Sequence, residues 1–205
     1  DLSPGIDNIK ASSVNFYEGV TQKEVEDFYA TFDTKGNAPS WGLNSKVTKE
    51  DGKVVEKIWK SGGMYGAAID QIIYWLKLAT TVAENEKQKT ALEKLITFYQ
   101  TGSVKDFDDY CIAWVNDKDS KIDVVNGFIE VYNDPIGKKG SFESVVSIRD
   151  EEATKRIKAI ADNAQYFEDN SPIAQNHKKA KVTGISAKAI TVIVEGGDGA
   201  PSTPI

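Results

Sequence analysis

Three stretches of apolar residues at helical spacing, running one after another between Gly63 and Asn116, constrain this chain more than any other feature. Ile69, Ile72, Ile73, Leu76 and Ala79 form the first set, and Leu92, Leu95, Ile96 and Tyr99 form the second. These predict two helices, or one helix bent near Asn85. Thr101-Gly102 is a stop, and Ser103 with Asp106 three residues later restarts a helix whose stripe is Phe107, Tyr110, Cys111, Trp114 and Val115. Trp75 and Trp114 read as core residues on these helices.

Around this helical block the pattern changes. Thr21-Gln22-Lys23-Glu24 has the spacing of a capping box and predicts a helix from about Gln22 to Phe32. Leu43 to Glu50 and Lys53 to Lys60 flank Asp51-Gly52 and read as a hairpin. Lys and Glu interrupt both of its faces, so alternation does not fix the register. Lys121 to Tyr132 is rich in Val, Ile and Phe, its latter half reads as a strand, and it ends at Asn133-Asp134-Pro135. Ser141 to Ile148 predicts another strand. Asp150 then caps one long helix carrying Ala153, Ile157, Ile160, Ala164 and Phe167, which Ser171-Pro172 ends. Ala187 to Glu195 is a β-branched run before the Gly196-Gly197-Asp198-Gly199 loop. Elements in blocks, without strict β-α-β alternation, indicate an α+β fold: several amphipathic helices packed around a small, mostly antiparallel β-core.

With 205 residues the chain is long enough to bury roughly 70% of its unfolded surface. Its 31 acidic and 25 basic residues leave a net charge of -6, so no basic field exists to attract nucleic acid or an anionic membrane. The longest apolar runs fall far short of the ~20 residues that span a bilayer. A single cysteine, Cys111, rules out an intramolecular disulfide, and no Asn-x-Ser/Thr sequon is present, so a reducing, cytoplasmic setting is expected. The chain opens at Asp1 and is expected to be a piece of a longer protein.

Most candidate chemistry has a plainer reading. One His and one Cys, far apart in sequence, do not supply a zinc ligand set. His177, in Gln175-Asn176-His177-Lys178-Lys179, reads as a solvated loop histidine, and Cys111 as a buried small hydrophobe. Asp117, Asp119 and Asp123 resemble a calcium loop superficially, but Ile122 and Phe128 stand where that loop needs Gly and Glu. The diglycine loop has no helix after it to receive a phosphate. What remains is Gly127 to Pro135. If it is extended, Phe128, Glu130 and Tyr132 share one face, with Glu130 and Tyr132 roughly 6.5 to 7 Å apart. A carboxylate can hold an ammonium group and a phenol can donate to a developing oxyanion. The same alternation also suits an ordinary solvated or core-packing strand face.

At this strand the sequence resembles the dipeptidyl peptidase III family of zinc metallopeptidases, bacterial branch. The resemblance rests on Gly127-Phe128-Ile129-Glu130-x-Tyr132-x-Asp134-Pro135-x-Gly137, on Gly140-Ser141-Phe142-Glu143-Ser144 and the helix after it, and on Leu43-Asn44-Ser45-Lys46 with its hairpin. Gly66 to Leu76 and the terminal Ser202-Thr203-Pro204-Ile205 add to it. The likeness implies a two-lobed enzyme in which a helical lobe carries His-Glu-x-x-Gly-His, or a one-residue-longer variant, plus a later Glu. Neither motif occurs here. By this likeness residues 1–205 are part of the other, substrate-binding lobe. Glu130 would bind the substrate's free amino terminus and Tyr132 would be catalytic, stabilising the oxyanion. Pro201, Ser202, Thr203 and Pro204 would lie at or near the strand that pairs with the peptide backbone. The implied partners are an oligopeptide substrate and the zinc-binding lobe of the same chain, and the implied cofactor is zinc in the parent enzyme. Alone, the piece is expected to hold no metal and to be inactive. The competing class is a non-enzymatic peptide-binding or scaffold domain that kept this lobe.

Overall fold

The computed structural model describes residues 5–32, 35–36, 38–183 and 188–198. A short helix α1 (Asn8–Ala11) and a two-residue strand β1 (Tyr17–Glu18) precede helix α2 (Gln22–Tyr29). The capping box at Thr21 and Glu24 forms as the spacing predicts, although α2 stops three residues before Phe32. Strands β2 (Ser45–Glu50) and β3 (Lys53–Ile58) make the expected hairpin, and β1 adds to β2 in parallel. This first sheet is covered by α1 and α2, whose Ile9, Val25 and Tyr29 pack with Val20 and Val47.

The helical block resolves into α3 (Gly66–Thr80), α4 (Glu86–Thr101) and α5 (Val104–Asn116). Asn85 separates the first two as an N-cap: its side chain accepts from the backbone amides of Lys87 and Gln88. That is a break between helices and not a bend. The main core joins all three helices to Leu43 and Trp59 of the first half and to Phe128 of the second. The Trp59 and Phe128 rings lie 4.8 Å apart and the Phe98 and Phe107 rings likewise 4.8 Å apart. Two of the expected core positions are corrected. Trp75 is 65% exposed and stacks only edge-on against Tyr74, while Val115 is also exposed. The buried stripe of α3 runs through Ile69, Ile73 and Leu76, which turns position 75 to the opposite side of a 3.6-residue helix. Trp114 is half-buried and donates its indole N–H to Asp123 at 2.7 Å.

A second, antiparallel sheet follows, with order β4 (Ile122–Glu130), β5 (Ser141–Arg149) and β6 (Ile190–Gly197). β4 begins at Ile122, earlier than the sequence suggests, and is tied to the helices by side chains. Tyr99 donates to Asn126, and Tyr110 donates to the Val124 carbonyl at 3.0 Å. Gly127 is needed here because a Cβ would lie 2.7 Å from the Phe107 ring. Between β5 and β6 the expected single helix is two, α6 (Glu151–Asp162) and α7 (Ala164–Asn170). Asn163 sits at the break with its side chain donating back to the Ala159 carbonyl, a local bond that competes with the helix. Neither helix has a buried residue. The architecture is α+β, with the small β-core divided, among the described residues, into two three-stranded sheets. Among the described residues no helix is long and apolar enough to cross a membrane.

Candidate functional site

The site forms where β4 leaves the second sheet. β4 pairs with β5 from Ile122↔Ile148 to Phe128↔Phe142, but the next pair is Glu130↔Ser141, so Ile129 is an extra residue in a β-bulge. A bulge re-aims the side chains that follow it. Phe128 therefore points into the core among Trp59, Tyr99 and Phe142, while Glu130 is exposed. The expectation that Phe128, Glu130 and Tyr132 share one strand face is corrected by this bulge. The strand also ends at Glu130. Tyr132 and Asn133 are the central residues of a turn closed by the Asp134 N–H donating to the Val131 carbonyl at 3.0 Å.

Glu130 and Tyr132 nevertheless share an electrostatic environment. Tyr132 is 68% exposed, yet its phenol is pushed up to about 12, first by the Asp198 carboxylate beside it, then by slight desolvation and by the charges of Asp198, Glu130 and Glu143. The half-buried Glu143 carboxyl is itself raised, first by burial and then by Glu130, Asp198 and Glu195. Every charge that shifts these two groups is a carboxylate. Backbone pairing assembles the ring: Glu143 sits opposite Gly127 on one side and Gly197 on the other, and the Asp198 N–H donates to the Phe142 carbonyl at 2.8 Å. Asn133 bridges the turn to this ring, donating to Ser141 at 3.2 Å and to Asp198 at 3.3 Å. Glu143 and Asp198 were not singled out from sequence. Glu143 lay in a stretch read as a strand and as part of the family resemblance with no role of its own, and Asp198 in a loop read only as a turn.

Chemically, such a place concentrates negative potential around an exposed phenol that stays protonated through neutral pH. It suits a cationic group, and it keeps an O–H donor available. Pro201, Ser202, Thr203 and Pro204 lie outside the described residues. His177 is exposed on a three-residue turn, and Cys111 is half-buried, with burial pushing its thiol up. Full burial of Cys111 is thus corrected to partial burial. Among the described residues no group of three His, Cys, Asp or Glu side chains could hold a metal ion, so they do not fit a zinc centre.

The Peptidase family M49 profile matches residues 9–203. The chain belongs to peptidase family M49. Over 140 residues, 68% of the chain, it is 29% identical to dipeptidyl peptidase 3 of Dictyostelium discoideum, covering 20% of that protein. The human dipeptidyl peptidase 3 is 24% identical over the same length. A stretch of 88 residues is 40% identical to part of a protein of Arabidopsis thaliana named Nudix hydrolase 3. Among solved structures, the fold matches dipeptidyl-peptidase III from Corallococcus sp. strain EGB with a TM-score of 0.68, over 96% of this chain and 36% of that one, at 23% identity. The enzyme from Caldithrix abyssi matches with a TM-score of 0.73 over 90% of this M49 chain and 35% of its own. The chain thus spans about a fifth of the dipeptidyl peptidase 3 relatives and about a third of these solved chains.

Proposed function

We propose that this M49 chain is the substrate-binding lobe of a zinc-dependent exopeptidase that releases dipeptides from the N-terminus of oligopeptides, and that it is inactive alone. The observation that supports the reading is the placement of Glu130 and Tyr132 where β4 leaves β5, beside Glu143 of that strand and Asp198, to which Asn133 of the same turn donates at 3.3 Å. An N-terminal ammonium is drawn to these carboxylates, and Glu130, exposed at the end of β4, accepts hydrogen bonds from it. Tyr132 holds its proton until about pH 12 and donates it in a hydrogen bond to the oxyanion as charge develops. The Asp198 carboxylate beside the phenol favours its protonated form. Pro201, Ser202, Thr203 and Pro204 follow β6 in sequence and are assigned to the segment beside the peptide backbone. Zinc belongs to the lobe outside this chain.

The test uses the full-length protein that contains the chain. Tyr132→Phe keeps the ring and removes a transition-state interaction, so kcat falls roughly 10²- to 10³-fold with KM little changed. Glu130→Gln weakens binding of free-amino peptides and scarcely alters binding of N-acetylated ones. Near-normal turnover by a folded Tyr132→Phe protein would reduce the phenol to packing. A full-length sequence without the His-Glu motif would favour the peptide-binding or scaffold alternative.

A further inference from the structure

The turn that presents Tyr132 is exposed at its tip and anchored at its base. Asp134, the residue that closes it, is buried, and its carboxylate meets only donors. Oδ2 accepts from the Tyr17 hydroxyl at 2.8 Å and from the backbone amides of Lys138 at 2.6 Å and Lys139 at 2.8 Å, while Oδ1 accepts from the Ile136 amide at 3.4 Å. Tyr17 belongs to β1, in the other sheet. The chain leaving the turn is fastened there a second time, by the Gly140 N–H donating to the Leu43 carbonyl at 2.7 Å.

Lys139 completes the attachment. Its side chain is wholly inaccessible, and its three hydrogens have three acceptors: the Tyr29 hydroxyl, the Gly42 carbonyl at 3.0 Å and Ser45 Oγ at 2.8 Å. Tyr29 and Ser45 pass their own hydrogens to Glu56 Oε1, at 2.5 and 2.6 Å, and that carboxylate lies 3.7 Å from the ammonium. The charge is therefore balanced through two hydroxyls with every donor used. Gly42 sits at φ +92, where an added Cβ would be 2.5 Å from the Tyr29 oxygen, so only glycine brings that carbonyl to the ammonium. Burial pushes the ammonium down to about 8 despite Glu56 and Asp134, and pushes the Tyr17 and Tyr29 phenols up. A desolvated network of this kind is a poor source of net stability compared with apolar packing, but it admits one geometry.

We propose that Asp134 and Lys139 are positioning residues, which fix the Tyr132 turn of the second sheet onto Tyr17, Tyr29, Ser45 and Glu56 of the first sheet and its helix. The inference rests on the peptidase reading only for its catalytic consequence. Small errors in the placement of a reacting group cost rate steeply, so loosening the clamp is felt at Tyr132 before it is felt in the core.

The experiment uses mild variants in the full-length protein, because Lys139→Met, which strands Glu56 beside two hydroxyls, can prevent folding. Tyr17→Phe and Tyr29→Phe each remove one hydroxyl and keep the ring. Each lowers kcat roughly tenfold with KM within about twofold, and in a Tyr132→Phe background the same changes have no further effect. An equal loss in both backgrounds, or unchanged kcat in the Tyr17→Phe protein, overturns the proposal. Fluorine NMR of a fluorotyrosine placed at position 132 reads the geometry without turnover. Its resonance shifts or broadens on Tyr17→Phe if the clamp sets the turn, and an unaltered resonance overturns the proposal. A wild-type protein that releases no dipeptide removes the peptidase reading, and the fluorine measurement then decides the clamp by itself.

Discussion

Val47 in β2 is wholly buried, whereas Val194 in β6 is 56% exposed, although both are β-branched residues in antiparallel ladders. The difference lies in what covers each sheet. Helices α1 and α2 close over β2, and α3 to α5 close over the inner end of β4. Helices α6 and α7 bury no residue, and β6 leaves Ile190, Val192, Ile193 and Val194 exposed. An apolar strand is thus buried or exposed according to its cover, and the resistance to local opening should follow the same division. The Glu130 to Tyr132 segment lies on the border between the two regimes, and the turn that follows it is fastened to the better-packed half through Asp134 and Lys139.

The sharpest way to break this comparison is a matched pair of aromatic truncations. Phe98 in α4 is completely buried, and Phe98→Ala should cost about 3–5 kcal/mol in chemical denaturation through lost burial and a cavity. Phe167→Ala in α7 removes the same atoms from a half-exposed position and should stay within ~0.5 kcal/mol. Equal losses would mean that the outer half packs as tightly as the inner one.

A smaller effect tests whether the open end of the second sheet is ordered where the site needs it. Asp198 is the first cause of the raised Tyr132 phenol, so Asp198→Asn should bring that group down from about 12 toward its ordinary value near 10. Ultraviolet titration referenced to the Tyr132→Phe protein measures it, and an unmoved titration would separate Asp198 from the phenol. The smallest effect belongs to the covered half. Glu24 is held down at about 2, first by its hydrogen bond from Lys49 and then by the Thr21 amide. A carboxyl lowered on folding adds stability above its ordinary value near 4.5 and loses it as pH falls through 2. Glu24→Gln should therefore reduce the pH dependence of stability between those limits, with no change in the ordering of the two halves.

Local signals in the sequence that act over a few residues were legible. Thr21 with Glu24, Ser103 and Asp150 all cap helices because each satisfies amides about three residues away, which spacing alone specifies, whereas the Asn85 cap was read only as a possible bend. The Asp51-Gly52 turn set the hairpin, and the Phe-Ile-Glu-x-Tyr-x-Asp-Pro stretch pointed to the M49 family. The bulge at Ile129 was not legible, since its only cause is pairing with a strand more than ten residues away. Strict alternation therefore placed Phe128 with Glu130, and the structure separates them. Trp75 misled for the same reason: an aromatic residue on an amphipathic helix looks like core until the neighbouring helices choose a face.

What the amino-acid sequence determined by itself was an acidic α+β chain with three central helices, their caps, and a carboxylate and a phenol two residues apart in an M49 motif. The tertiary structure alone decided what surrounds that pair. It brought Glu143 of β5 and Asp198, just past β6, beside Tyr132, and it buried Asp134 and Lys139 against residues 94 to 117 positions away. A buried ammonium needs acceptors and a countercharge converging from several directions, and no short stretch of chain can supply them. Sequence spacing therefore carried the chemistry of the tip, while the geometry that holds the tip still exists only in the fold.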